Sequence, residues 1–121
     1  LTIDFLGVDG RYLGGNISLG CRTRTKALER YSKNLPLIDT PVSVQPEGTS
    51  LESSIGSGVV LGIIFEIEGY IKAHGENIVI FTGGDAIYFA KRMKSSIFVV
   101  CNLELMGLAI ITDDYVKKII G

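Results

Sequence analysis

The sequence feature that most constrains the fold is the apolar segment 50–72, in which a branched aliphatic residue stands at every fourth position. These positions are Ile55, Val59, Ile63, Ile67 and Ile71. The spacing predicts a helix with a continuous apolar face, and Ser50, Glu52 and Ser53 supply capping chemistry at its start. Its glycines, Gly56, Gly58, Gly62 and Gly69, each cost about 1 kcal/mol of helix propensity relative to alanine. We therefore expect a buried helix against which another backbone or a partner chain packs closely.

The rest of the chain alternates predicted strands and helices. A turn at Asp9-Gly10 joins two strands over residues 1–8 and 11–19, and a helix over 21–34 ends before Pro36. Beyond the long helix, strands are predicted at 77–82 and 97–101, and helices at 85–93 and 103–120. This order predicts one α/β domain, residues 1–121, with a mixed sheet, flanking helices and parallel late strands. At the level of fold it resembles one half of a ribonuclease-H-like or actin-like ATPase domain.

Composition excludes several classes of protein. With 46% apolar residues, the 121-residue chain is not intrinsically disordered, and its 12 Lys plus Arg against 13 Asp plus Glu disfavour a nucleic-acid binder. The charge-free run 53–65 is shorter than the roughly 20 apolar residues that cross a bilayer, so we expect no membrane segment. Two cysteines and one histidine suit a reduced, cytoplasmic protein without a disulfide framework or a metal site. A first residue other than Met suggests a processed or excised piece.

Residues 78–86 carry the pattern with the most chemical content, an apolar strand that turns on two glycines into a helix. Bare backbone at Gly83 and Gly84 would let a nucleotide lie close, and the start of the helix would offer unpaired N–H groups. The alternative interpretation is a tight turn without a ligand, in which Asp85 caps the helix. The local pattern leaves both interpretations open.

Other candidate residues have a structural interpretation beside a functional one. Adjacent Gly14 and Gly15 in a strand indicate a β-bulge or the close approach of another group. Asp4 and Asp9 could hold Mg²⁺, although an aspartate beside glycine is ordinary turn chemistry. Five basic residues form a solvated helix face or bind an anionic ligand or partner. They are Arg22, Arg24, Lys26, Arg30 and Lys33. A single histidine gives no catalytic triad, and we assign no catalytic residue.

Three blocks in series carry a resemblance to a known family. The chain reads GGNIS at residues 14–18, SGVVLG at 57–62 and TGGDA at 82–86, and it resembles the C-terminal half of a type III pantothenate kinase nearly end to end. The resemblance implies two actin-like ATPase domains, a homodimer, and phosphorylation of pantothenate by ATP in the first step of coenzyme A synthesis. It also implies Mg²⁺ and a monovalent cation, K⁺ or NH₄⁺. Members of this family have also been described as Bvg accessory factor-like transcriptional activators.

The resemblance also assigns binding residues. Thr82, Gly83 and Gly84 match the glycine pair on the nucleotide side of the cleft of these kinases. Gly14 and Gly15 match a glycine pair near the cleft between the two domains. Both assignments rest on the matched motifs and not on spacing.

Several positions depart from the pattern of the family. The substrate-contacting threonine falls on Leu51, with Ser50 or Thr49 as polar substitutes. Leu19 and Val100-Cys101 stand where the family has Pro and Asp-Pro. The 121 residues do not include three motifs of the family. They are the phosphate loop, the Gly-x-Asp-Arg motif with the catalytic base, and the cation-binding Asp-x-Gly-Thr-Ala segment. We therefore expect the 121 residues alone to be inactive; the alternative is a non-catalytic regulatory binding module, which these departures favour.

Overall fold

The computed structural model describes residues 1–75 and 78–120. Contacts divide the chain into two compact units, Leu1–Ile67 and Glu68–Gly121, where the sequence predicts one domain. Each unit has its own two-stranded sheet, so the single mixed sheet predicted from the sequence is wrong for the described residues. Which strands pair is decided by contacts that are distant along the chain, and local periodicity carries no information about them.

The first unit begins with the predicted antiparallel hairpin. β1 (Thr2–Leu6) pairs with β2 (Tyr12–Ile17), so each strand is shorter than predicted. Gly10 takes φ +79° in the connecting turn, and the Asp9 carboxylate accepts the Arg11 N–H at 3.1 Å. Asp9 is therefore a turn residue, as its neighbour Gly10 indicates.

A β-bulge interrupts this hairpin. Phe5 lies opposite Gly14 and Leu6 opposite Tyr12, which leaves Leu13 as an extra residue on β2. The bulge confirms the structural interpretation of the adjacent glycines, because the next residue, Gly14, takes φ +129°.

One helix and most of a second, longer one complete the first unit, which ends at Ile67. α1 (Cys21–Tyr31) ends three residues before the predicted boundary, where the Ser32 N–H bonds to the Leu28 carbonyl and the chain turns toward Pro36. α2 (Leu51–His74) starts after Ser50 and ends before Gly75, which takes φ +73°. A glycine of this conformation is a common helix terminator.

The α2 helix supplies most of the core. Its buried apolar side chains are Ile55, Val59, Val60, Ile63, Ile64 and Ile67. By length and composition it is also the one described helix that could cross a membrane, a property that core helices share. The sequence predicts no membrane-spanning segment because the charge-free run 53–65 is too short. A stretch of 18 residues that includes up to two charged ones is apolar enough to qualify. The buried face is what we expect of a core helix.

The second unit contains two parallel strands, as predicted. β3 (Val79–Phe81) pairs in register with β4 (Ile97–Val99), and α3 (Ala86–Ala90) lies between them in sequence. The prediction had both strands longer and placed α3 at 85–93; of the predicted first strand, Asn77 lies outside the described residues. Arg92 and Met93 bond to carbonyls three residues back, which tightens the chain into turns.

The chain ends in α4 (Leu103–Ile120), with the bounds that the sequence predicts. None of its residues is buried, although ten large apolar side chains lie on it. A helix that is apolar on several sides is normally enclosed by other protein.

Candidate functional site

The binding residues assigned by resemblance fall in both compact units. Gly14, Gly15, Ser50 and Leu51 belong to the first unit, and the segment Thr82–Gly84 belongs to the second. The surroundings of each group are described separately below.

Gly15 is enclosed by its own hairpin. It lies opposite Asp4, and a Cβ there would overlap the Ile3 carbonyl oxygen and come within 2.8 Å of Asp4 Oδ1. The same Asp4 oxygen accepts a hydrogen bond from the Tyr12 hydroxyl at 3.2 Å. Asp4 therefore has a structural partner. Desolvation is the leading cause that raises the pKa of Tyr12, and the hydrogen bond to Asp4 and the charge of Asp4 raise it further. The groups that approach Gly15 closely are therefore parts of the hairpin itself.

A groove of about 580 Å³ lies between the segment after α1 and the start of α2. Its walls are mainly polar and include Thr40, Gln45, Ser50, Glu52 and Ser57. The groove thus contains Ser50, one of the polar residues that could replace the missing threonine. Leu51 is 53% exposed and does not line the groove.

Ser50 is held in place by reciprocal capping. Its hydroxyl accepts the Ser53 N–H at 3.1 Å, and the Ser53 hydroxyl accepts the N–H groups of Thr49 and Ser50 at 2.9 Å each. This confirms the predicted capping chemistry at the start of α2. Gly48 completes the arrangement, because a Cβ there would overlap the backbone of Ser54. Nothing in the sequence around Gly48 indicates this close approach.

The double-glycine turn has one constrained and one free position. Gly83 takes φ +98°, which side chains rarely adopt, whereas Gly84 has an ordinary φ and no atom within 4 Å of a Cβ placed on it. Asp85 stands at the N-cap of α3 but makes no side-chain capping hydrogen bond, so its predicted capping role is wrong. The Ala86 N–H bonds instead to the Gly83 carbonyl at 3.3 Å. With only five residues, α3 has a small dipole to offer an anion.

The basic cluster separates into two kinds of residue. Arg22, Lys26, Arg30 and Lys33 are exposed, as a solvated face requires. Arg24 instead forms an ion pair with Glu66, and both side chains are only 22% exposed. Arg24 is two residues from Arg22 and from Lys26, so spacing puts it on another face of α1. Its partner lies 42 residues away, and local spacing carries no information about that contact.

The Glu66 carboxylate is stabilised in its charged form. The nearby Ser18 hydroxyl is the leading influence, and with the hydrogen bond and charge of Arg24 it lowers the pKa of Glu66 against the opposing effect of burial. Ser18 Oγ is buried and makes no hydrogen bond of standard geometry with the described residues.

Comparison with known proteins decides the family of this chain. The sequence profile of the type III pantothenate kinase family matches residues 1–73. The chain belongs to this family. Relatives named type III pantothenate kinase from Azobacteroides pseudotrichonymphae and Flavobacterium psychrophilum are 44% identical over 111 and 112 residues. These alignments cover 89% of this chain but 45% and 46% of the relatives. The chain therefore spans about half the length of the type III pantothenate kinases it matches.

A solved structure shares the fold. It is the crystal structure of a conserved Baf family transcriptional activator from Campylobacter jejuni, with a TM-score of 0.74 and 24% identity. The match covers 96% of this chain and 54% of that one. At this identity the likeness establishes the fold alone.

Proposed function

We propose that the protein to which these residues belong is a cytoplasmic kinase that transfers the γ-phosphoryl group of ATP to pantothenate, in the first step of coenzyme A synthesis. Membership of the type III pantothenate kinase family is the observation that carries this proposal. The residues described here would form part of a two-domain, actin-like ATPase. Phosphoryl transfer depends on positioning and on charge stabilisation more than on covalent chemistry by the protein. The contribution of this chain would accordingly be to shape the binding surfaces.

The nucleotide would lie against the turn Thr82–Gly84. Support comes from the geometry of Gly84, whose Cα faces open space and leaves the backbone accessible. Gly83 supplies the positive φ that lets the strand turn sharply at this point. The two glycines therefore have different roles, and only Gly84 is free to be one of the ligand contacts.

Replacing Gly84 with alanine tests the nucleotide assignment. We expect the affinity of the full-length protein for ATP to fall about tenfold or more, because the added methyl occupies space that the ligand would use. The melting temperature should hold or rise slightly, since the methyl meets no atom of the described residues, φ is ordinary and alanine leaves the unfolded chain fewer conformations. Isothermal titration and thermal melting measure the two quantities. Unchanged affinity in a variant that melts no lower than the wild type would remove the nucleotide from this turn.

Pantothenate would bind in the groove at the start of α2. Ser50 lines this groove and its backbone is fixed by capping, so its hydroxyl is the polar group available where the family has threonine. Leu51 would lie beside the site without contributing to it. Gly14 and Gly15 would shape the hairpin near the cleft and need not contact the substrate, because the hairpin already accounts for both.

Mg²⁺ and the monovalent cation would be held largely by groups other than the side chains described here. Among residues 1–75 and 78–120 there is no cluster of three or more His, Cys, Asp or Glu side chains able to hold a metal ion. Mg²⁺ is often bound through substrate phosphates and only one or two carboxylates. We propose that Mg²⁺ binds with ATP, and that the monovalent cation, K⁺ or NH₄⁺, uses the Asp-x-Gly-Thr-Ala segment of the family.

We also propose a homodimer formed along α2. Leu51, Gly58 and Phe65 are exposed and recur every seven residues, which places them on one face of the helix. A Cβ added at Gly62 would lie 3.2 Å from Arg24 Nη1, and one added at Gly56 would lie 3.1 Å from Pro41, whereas Cβ atoms added at Gly58 and Gly69 meet no described atom within 4 Å. Intramolecular packing therefore explains two of the four helix glycines. Of the other two, Gly58 stands between Leu51 and Phe65 on the exposed face, where it would admit a second helix.

Replacing Gly58 with leucine should dissociate this dimer. The larger side chain would hold the two helix backbones apart, so sedimentation velocity of the full-length protein should show monomers at concentrations where the wild type is dimeric. Gly58→Ala is the matched control, because one methyl is a smaller obstacle and raises helix propensity. Gly62→Leu is a poorer probe, since it would disturb Arg24 within the chain itself. A stable dimer in Gly58→Leu would place the interface elsewhere.

A second candidate function is a non-catalytic regulatory module that binds DNA. One observation favours it: Arg22, Lys26 and Arg30 are exposed, and their spacing of four places them on one face of α1. Three phosphate contacts predict a slope of roughly −3 for the logarithm of affinity against the logarithm of salt concentration. Anisotropy titrations with duplex DNA measure this slope, and Lys26→Gln should reduce it by about one. A flat response would discard this candidate.

A further inference from the structure

We propose that Arg24 is a positioning residue for the phosphoryl transfer proposed above, and this inference rests on that proposed function. Arg24 joins three parts of the first unit. Its Nε donates to the Leu19 carbonyl at 2.8 Å, its Nη2 pairs with the Glu66 carboxylate, and its Nη1 lies against Gly62. One side chain on α1 thus connects the residues that follow β2 with the middle of α2.

The arrangement requires an arginine. The planar guanidinium carries its donors in a fixed fork, so Nε and Nη2 can serve two acceptors in different directions at once. A lysine ammonium is a single point charge on a flexible stem and cannot hold both directions. Gly62 makes room for the group, because any side chain there would meet Nη1. Glu66 contributes a charge-assisted hydrogen bond, which is stronger than a neutral one.

The contact between Arg24 and Glu66 affects the candidate site because of where it lies. Leu19 follows β2, which carries Gly14 and Gly15, and α2 carries at its other end the capped Ser50 of the groove. Arg24 therefore fixes how the glycine hairpin and the groove are held relative to each other within the first unit. A displacement of about 1 Å between reacting groups can cost as much as a hundredfold in rate. We infer that loss of this contact slows turnover more than it weakens folding.

Steady-state kinetics of the full-length protein test the inference. In Arg24→Lys and in Glu66→Gln we expect kcat for ATP-dependent phosphorylation of pantothenate to fall about tenfold or more, with smaller changes in the KM of either substrate. The double variant should be no slower than Arg24→Lys alone, because both changes remove one shared contact. Assays are run well below each melting temperature. Glu29→Gln, which neutralises an exposed carboxylate on α1, is the control for Glu66→Gln and should match the wild type.

The outcomes separate the inference from the function on which it rests. An active wild type, with lower melting temperatures but unchanged kcat in Arg24→Lys and Glu66→Gln, would show a purely structural contact and overturn the inference alone. Additive effects in the double variant would also overturn it, because the two residues would then act independently. A wild-type protein without pantothenate-dependent turnover would overturn the proposed function and this inference with it.

Discussion

Replacing Gly15 with alanine is expected to lower the free energy of unfolding by about 2 kcal/mol, the cost typical of forcing extra volume into a packed site. The added methyl would overlap the Ile3 carbonyl oxygen and press on the Asp4 carboxylate that accepts the Tyr12 hydroxyl. Both obstacles belong to the hairpin, and one of them is backbone, which cannot rotate away. Denaturant titration of the full-length protein measures the loss.

Gly84→Ala is the matched control for this variant, since the same methyl group enters open space there. Its unfolding midpoint should equal or exceed that of the wild type, because alanine restricts the unfolded chain. The control therefore measures the general effect of removing a glycine, and the difference between the two variants gives the steric effect at Gly15. Equal midpoints for Gly15→Ala and the wild type would contradict the close packing of β1 against β2.

The 121 residues expressed alone should give no pantothenate-dependent release of ADP above a no-protein blank. They contain no Gly-x-Asp-Arg motif, which in the family supplies the catalytic base and the substrate-binding arginine. A general base alone contributes about 10²- to 10⁴-fold to a rate, and a divided cleft also loses the positioning on which phosphoryl transfer depends. We therefore expect complete loss of pantothenate-dependent release of ADP.

The full-length protein in the same coupled assay is the control for this prediction. Its turnover would support the proposed kinase function and show that the assay conditions are adequate. Turnover by the 121 residues alone would contradict the assignment of the base to the Gly-x-Asp-Arg motif, because the described chain would then supply its own.

The long helices could be predicted from the sequence, α4 with its bounds, whereas the pairing of the strands could not. α2 and α4 follow directly from sustained helical periodicity, and the hairpin follows from the Asp9-Gly10 turn. α3 is shorter than predicted because bonds to carbonyls three residues back replace the helical pattern near Met93. The two separate sheets could not be predicted, since pairing depends on contacts between distant segments.

The candidate site divides in the same way. The special conformation at Gly83 follows from the double-glycine pattern, and the bulge at Gly14 was one of two interpretations of the other glycine pair. Spacing sets Arg24 on a different face of α1 from Arg22 and Lys26, but its role could not be found because its partner lies 42 residues away. Gly48 carried no signal either, since the close approach of Ser54 exists only once α2 is capped.

The two short sheets have a consequence for how the chain behaves in concentrated solution. Each of the four strands has one strand neighbour among the described residues, so its other edge carries no strand there. Edges of this kind are templates for pairing with another chain. Contact between unlike edges builds open-ended assemblies unless its rotation closes a ring, whereas the dimer proposed along α2 would stop at two copies. Light scattering that rises without a plateau would mark the first kind of assembly, and a fixed mass the second. We expect the first kind when these residues are concentrated by themselves.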